Sequence, residues 1–286
     1  MTPQTASHLQ IPRVLSIAGT DATGGAGLHA DLKSIAAAGG YGMAAVTAIV
    51  SQNTHGVRNV FYPPMEVLRA QLDAVSDDVT IDAIKIGMLG NAEVTAAVAA
   101  WLDAAFPDAA ARPPLVIDPV MVSTSGHVLL DDAGRARLRS LLPAATVITP
   151  NLPELALLAG TPTRDNLDDA IADATELATE FGCAVVVKGG HAVGADAANV
   201  LVSPEYNEYP AVPSPRIDTP HTHGTGCSLS SALATRLGWG EDLFAALQWS
   251  TRWLHGAIAG AEHLHVGTGR GPVDHFHHVR AAVLPD

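Results

Sequence analysis

Apolar residues fall along the chain in short continuous runs: VLSIA at 14–18, AAVTAIV at 44–50, AIKIG at 83–87, PLVIDPV at 114–120, TVIT at 146–149, AVVVK at 184–188 and ANVLV at 198–202. Runs of this length suit strands buried on both faces. Between them the spacing becomes helical. Leu28, Leu32 and Ile35 recur at i, i+4, i+7 before Gly39-Gly40, and Met65, Leu68, Leu72 and Val75 keep to one face. Leu167, Ile171, Ala174, Ala178 and Phe181 form a third stripe, and Leu229, Leu233 and Leu237 a fourth. Strand alternating with helix predicts an α/β fold with a largely parallel sheet covered on both sides. Residues 203–220 hold five prolines and read as loop or edge structure, because apolar runs resume on either side. No internal repeat or low-complexity tract interrupts the pattern.

The chain has 286 residues, 48% of them hydrophobic, which suits one domain from 14 to 286 behind a flexible N-terminus at 1–13. No run of eighteen apolar residues occurs, and MTPQTASHLQIPR lacks the apolar core of a signal peptide. A cytoplasmic protein without a membrane partner is expected. The net charge of −13, with no basic cluster, disfavours nucleic acid and anionic lipid as partners. A site for a phosphorylated ligand must then be local and built largely from backbone. Cys183 and Cys227 stand far apart without metal-ligand spacing, so neither a disulfide scaffold nor a zinc site is indicated. Cys183, in EFGCAVVV, reads as core.

Ligands of open α/β sheets bind at the carboxyl ends of the strands, so the residues just after each apolar run are the candidates for function. The first run ends in GTDATGGAGLHADLK (19–33). Gly19 and Gly24 begin a P-loop spacing, but Gly25-Ala26 replaces the Lys-Ser/Thr that such a loop requires. Gly25, Gly27 and Ala30 fit a loose dinucleotide fingerprint, yet the second run ends in Ser51-Gln52-Asn53 rather than an acidic residue. There remains a glycine turn that admits a ligand close to the backbone, with Asp31 one helical turn further on; a solvated helix carboxylate is the plainer alternative.

The stretch HTHGTGCS (221–228) has a more definite reading. Gly224 and Gly226 let backbone N–H groups converge, and the succeeding helix adds the positive end of its dipole. Such an anion hole suits a phosphoryl group in transfer. Cys227, in the first turn of that helix, stands where a thiol pKa is lowered and the group acts as base or hydrogen-bond partner; a small packing residue is the alternative.

With GTDATGGAG, SQNTHGV, KIGML, IDPVMV, TPNLPE, VVKGGH and HGTGC in this order, the sequence resembles the hydroxymethylpyrimidine and phosphomethylpyrimidine kinases of thiamine biosynthesis, within the ribokinase-like superfamily. The resemblance runs from about Val14 to GTGRGPVDHFHH, nearly the whole chain. It implies a three-layer α/β/α sandwich that transfers phosphate from ATP, with Mg2+, to the pyrimidine alcohol and then to its monophosphate. It places the base or anion-hole position on Cys227, within Gly224, Thr225 and Gly226, and pyrimidine contacts on Gly19, Asp31, Gln52 and Met88. A side-chain amide such as Gln52 donates to and accepts from an aminopyrimidine edge at once. Asp118 and Glu154 fall on the acidic positions near magnesium, which favours oxygen ligands; capping of a helix is their alternative role. Lys188, a lone cation ending an apolar strand, would neutralise nucleotide phosphates alongside Thr225 and Gly226, or else snorkel to the surface. A homodimer is usual in the family.

One departure stands out. After DPVMV the family continues with alanine, lysine, serine, glycine, whereas Ser123-Thr124-Ser125-Gly126 omits the lysine, which bears on the second phosphorylation, where the acceptor is already an anion. The HFHH of 275–278 matches the family's ending rather than a metal site. Two rivals remain: a pyridoxal or dual-specificity kinase, which Gln52 with Met88 disfavours, and a non-catalytic pyrimidine sensor, which would have no need of the acidic residues or the anion loop.

Overall fold

In the computed structural model, the residues described are 10–121, 129–191, 197–206 and 208–283. All seven apolar runs become strands: Arg13–Gly19 (β1), Tyr41–Asn53 (β2), Ala83–Ile86 (β4), Leu115–Ile117 (β5), Val147–Ile148 (β6), Ala184–Lys188 (β7) and Asn199–Val202 (β8). Two more appear among the described residues, Gly56–Phe61 (β3) and Ala211–Val212 (β9). β9 lies inside the proline-rich stretch and is indeed an edge. The sheet order is β3-β2-β1-β4-β5-β6-β7-β8-β9. Pairing is parallel from β2 through β7, while β3, β8 and β9 join antiparallel. The three-layer, mostly parallel sandwich expected from the sequence is the observed architecture.

The helices are Gly27–Ala37 (α1), Met65–Ser76 (α2), Ala92–Ala105 (α3), Asp132–Leu141 (α4), Leu152–Ala159 (α5), Leu167–Phe181 (α6), Thr225–Gly238 (α7), Leu243–Ala259 (α8) and His277–Val283 (α9). Alternation along the strands sorts the core. Leu15, Ile17, Ile84, Ile86, Leu115, Ile117, Val185 and Val187 face α2 to α6. Val14, Ala83, Val116, Val147 and Val186 face α1, α7 and α8. The period of two puts Ser16 and Lys85 on this second face as well, both fully buried. They find partners there: Lys85 Nζ bonds both carboxylate oxygens of Asp31 on α1 at 2.9 and 2.8 Å, while the hydroxyls of Ser16 and of Ser231 on α7 donate to the same group at 2.6 and 2.8 Å. Burial opposes the Lys85 charge, but Asp31 outweighs it and raises the ammonium pKa.

Arg13, assigned to the flexible N-terminus, already belongs to β1. Its N–H and guanidinium bond the Asp82 carboxylate at 2.7 to 2.9 Å, so order begins earlier than the apolar run suggests. Cys183 is buried core, as read, and burial pushes its thiol up to about 11. β1 has β2 on one side and β4 on the other, so the chain leaves it in opposite directions. That reversal opens a crevice at the carboxyl ends of β1 and β4.

Candidate active site

Two glycine loops meet in this crevice. The first, after β1, is folded around Asp21, which is fully buried and accepts from Thr23 N (2.9 Å), Thr23 Oγ1 (2.7 Å), Gly25 N (3.1 Å) and Ala26 N (2.8 Å). The second leads into α7. His223 Nε2 lies 2.8 Å from Asp21 Oδ2 and ties the loops together. Burial alone would raise the Asp21 pKa, but the bonds from His223 and Thr23 prevail and hold it far below the ordinary carboxylate range. Gly224 has φ +79°, and a Cβ there would stand 1.8 Å from the carbonyl oxygen of Gly25. Glycine is therefore required on both grounds, conformation and close approach.

Gly224 caps α7 without a side chain, and the first i→i−4 bond is made by Ser228 N to Gly224 O at 2.9 Å. The N–H groups of Gly226 and Cys227 precede it, so the helix itself offers them no acceptor. Both residues line a cavity of about 530 Å3, the size of a small-molecule site. Gly19, Gln52, Met88, Asp118, Glu154, Lys188, Gly224, Thr225, Gly226 and Cys227 all line it. Ten residues singled out from sequence thus converge on one space.

At one end stands a largely apolar wall. Met88 packs with Val50 and Leu129, its carbonyl held by the Thr47 hydroxyl at 2.6 Å, and a Cβ on Gly19 would come within 3.3 Å of Met88 Sδ. Gln52 joins this wall through a β-bulge. Ser51 pairs with Asn59 and Gln52 with Val57, so Arg58 is the extra residue, and the local twist re-aims the end of β2. At the other end Lys188 Nζ meets Asp118 Oδ1 at 3.0 Å, with Thr149 Oγ1 on the same oxygen at 3.1 Å. Burial disfavours the Lys188 charge, but Asp118 and Glu154 outweigh it and raise its pKa. A Cβ on Gly226 would approach Lys188 Nζ to 3.2 Å, which places the N-terminus of α7 directly over this pair.

Glu154 combines both roles considered for it. With Asn151 it forms a reciprocal capping box at the start of α5, Asn151 N donating to Glu154 Oε2 and Glu154 N to Asn151 Oδ1, each at 2.9 Å. It also lines the cavity, and burial together with the nearby Asp118 charge, against the pull of Lys188, pushes it up to about 7.

Two expectations are corrected. Asp31 does not line the cavity; it is sealed beneath Cys227 with both oxygens committed to Lys85, Ser16 and Ser231, so direct pyrimidine contact is excluded in this arrangement. The Cys227 thiol is not lowered by its helix position. Burial pushes it up to about 12, Asp31 and Asp118 add to the effect, and the opposing Lys85 charge and Gly27 N–H do not overcome it. Ser123 and Thr124 lie outside the described residues. Asp21 and His223 carry no role in the sequence reading, nor do the cavity-lining Arg216, which stands in no motif, and Arg270, which lies unremarked within GTGRGPVDHFHH. His275 in HFHH is buried, with Nε2 3.0 Å from Ser228 Oγ, and burial lowers its pKa to about 3.

The architecture and crevice are those of the ribokinase-like class, and a solved pyridoxal kinase of Bacillus subtilis, determined as an ADP complex, superposes with a TM-score of 0.83 and 32% identity over 95% of this chain and all of that one. The phosphomethylpyrimidine kinase profile matches residues 21–274, and the chain belongs to that family. It is 53% identical to a thiamine biosynthesis multifunctional protein of Corynebacterium efficiens over 93% of this chain and 35% of that protein. It is 44% identical to a hydroxymethylpyrimidine/phosphomethylpyrimidine kinase of Rhizobium meliloti over 92% and 96%. The chain therefore spans about a third of the multifunctional relative and nearly all of the second.

Proposed function

We propose that the chain phosphorylates 4-amino-5-hydroxymethyl-2-methylpyrimidine and then its monophosphate, with ATP as donor. The observation that carries this reading is one cavity lined by Gln52 and Met88, by Lys188, and by the N-terminus of α7 over the Lys188–Asp118 pair. Gln52 reads the aminopyrimidine edge while Met88 and Gly19 hold the ring. Ile217, Leu254 and Ile258, apolar residues of the cavity lining, are proposed to hold the nucleobase. The acceptor oxygen attacks the γ-phosphorus in line, the N–H groups of Gly226 and Cys227 hold the oxygens of the transferring group, and Lys188 holds phosphate charge. A thiol that stays neutral acts by hydrogen bonding. Cys227 then orients the acceptor oxygen, and the alcohol proton passes to the transferred phosphoryl group as the bond to phosphorus forms. A loose transition state asks little of a base, which suits a site serving both an alcohol and a phosphate.

Asp118 and Glu154 suit a hard cation: both offer oxygen, both are buried, and at Glu154 the cost of burial outweighs the attraction of Lys188, so a further positive charge is favoured there. Mg2+ bound there would neutralise nucleotide phosphate charge. A homodimer is proposed through the β2–β3 edge and the adjoining α2, where Ile49, Phe61 and, on α2, Val67 are exposed. Light scattering should report twice the chain mass, and a monomer would remove this element.

The deciding experiment is ADP release from Mg-ATP, run in parallel with the pyrimidine alcohol, its monophosphate and pyridoxal. Turnover of both pyrimidines is expected. Activity on pyridoxal alone would transfer the chain to the second reading, which the likeness to the Bacillus subtilis enzyme favours. Binding without any ADP would identify a sensor.

A further inference from the structure

We propose that Arg270 recognises the phosphate of a phosphorylated acceptor and so determines how well the site handles the monophosphate relative to the alcohol; this rests on the kinase reading above. Lys188, Arg216 and Arg270 are the lysine and arginine side chains that line the cavity among the described residues. Lys188 is committed to Asp118. Arg216 bonds the carbonyls of Gly190 (2.8 Å) and Gly189 (3.4 Å), beyond β7 and away from the Gln52 wall. Arg270 differs. Its backbone N–H bonds Thr54 O at 3.0 Å, but among the described residues its guanidinium has no hydrogen bond or ion pair.

Its backbone is nevertheless firmly placed. On one side residues 269–270 pack on Thr54, just past Gln52: Gly269 N bonds Thr54 Oγ1 at 3.1 Å, and a Cβ on Gly269 would stand 2.3 Å from Thr54 O. On the other side Gly271 O accepts from His223 N at 3.1 Å, and Gly271 N bonds His221 Nδ1 at the same distance. Arg270 is thus held between the end of the acceptor wall and the anion loop, with a long charged side chain free at the cavity mouth.

The electrostatics give that position a use. A monophosphate entering this cavity brings negative charge toward Asp118 and Glu154 in a chain of net charge −13. It needs a cation of its own, outside the pair that serves the donor. A guanidinium presents a planar fork of donors that matches two phosphate oxygens. The unphosphorylated alcohol makes no such demand, so the contribution is selective.

Steady-state kinetics of wild type, Arg270→Gln and Arg270→Lys with the two acceptors test this. Arg270→Gln is expected to lower kcat/KM for the monophosphate about 10- to 100-fold more than for the alcohol, mainly through KM, with partial recovery in Arg270→Lys. Equal losses, or none, would overturn it. Calorimetric binding of each acceptor in the absence of nucleotide separates this from the kinase reading. If wild type releases no ADP with either acceptor, the kinase reading falls, yet a selective loss of monophosphate binding in Arg270→Gln still upholds Arg270, and equal binding in the two proteins refutes it.

Discussion

Two lysine–aspartate pairs lie beneath the anion loop, and the contrast between them separates what holds this fold from what acts in it. Lys85 and Asp31 meet at 2.8 Å with both side chains 0% exposed; Lys188 and Asp118 meet at 3.0 Å with 12% and 3%. The first pair is saturated, because Ser16 and Ser231 supply the remaining donors to Asp31. It joins β1, β4, α1 and α7 and leaves nothing for a ligand. The second also receives hydroxyls, from Thr149 and Ser230, but it has Glu154 as a further carboxylate and opens on the cavity, so its negative charge exceeds its positive charge. The extra carboxylate and the access to the cavity make the second pair the candidate for binding.

The largest expected effect tests the sealed pair. Lys85→Met leaves Asp31 buried without its cation and should cost about 3–5 kcal/mol in urea unfolding, while the added Asp31→Leu should recover most of it. An unchanged midpoint in the single variant would collapse the comparison. Lys188→Gln should instead lower kcat/KM about 100- to 1,000-fold with a smaller stability loss than Lys85→Met, read by ADP release and the same unfolding assay. If stability fell equally and the rate persisted, the open pair would be structural too. Cys227→Ser, between the two pairs, should reduce kcat about tenfold with little change in stability. Wild-type rate in this variant would remove Cys227 from the chemistry.

The smallest effect concerns pH. Glu154 titrates at about 7 in the folded chain against an ordinary 4.5, so between these values the native state binds more protons than the unfolded one. Stability should therefore fall as pH rises from about 4.5 to about 7. Glu154→Gln keeps an acceptor for the capping box and should flatten that slope, as followed by the urea midpoint across pH. Magnesium added to the wild type should lower the upper end of the window; no movement would tell against a Glu154 metal contact.

The parallel strands were legible because burial on both faces leaves an unbroken apolar run, which is the strongest pattern a strand can carry. β3 escaped notice because GVRNVF is an antiparallel edge with exposed Arg58 and Asn59, and β9 because it has only two residues. α3 is dominated by alanine and lacks a sharp stripe. In the site, HGTGC was readable as a local motif, whereas Gln52 and Met88 were singled out only through the family resemblance; all of these line the cavity. The role of Asp21 was not, since its partner His223 lies 202 residues away. Asp31 was misplaced for the same reason: its fate is decided by Lys85, which only the alternation of β4 brings underneath it. At Cys227 burial, with Asp31 and Asp118 nearby, raises the thiol pKa against the pull of the helix terminus.

The clasp between residues 267–271 and Thr54 also has a consequence for how the chain comes into being. The sheet grows outward nearly in the order in which its strands leave the ribosome, yet the cavity is closed by residues 221–227 and 267–272 returning to loops made more than 160 residues earlier. A nascent polypeptide halted after β9 would hold a sheet and one half of a binding site. Competence arrives only once residues 267–272 have been made, so the ligand cavity is completed well after the sheet that carries it.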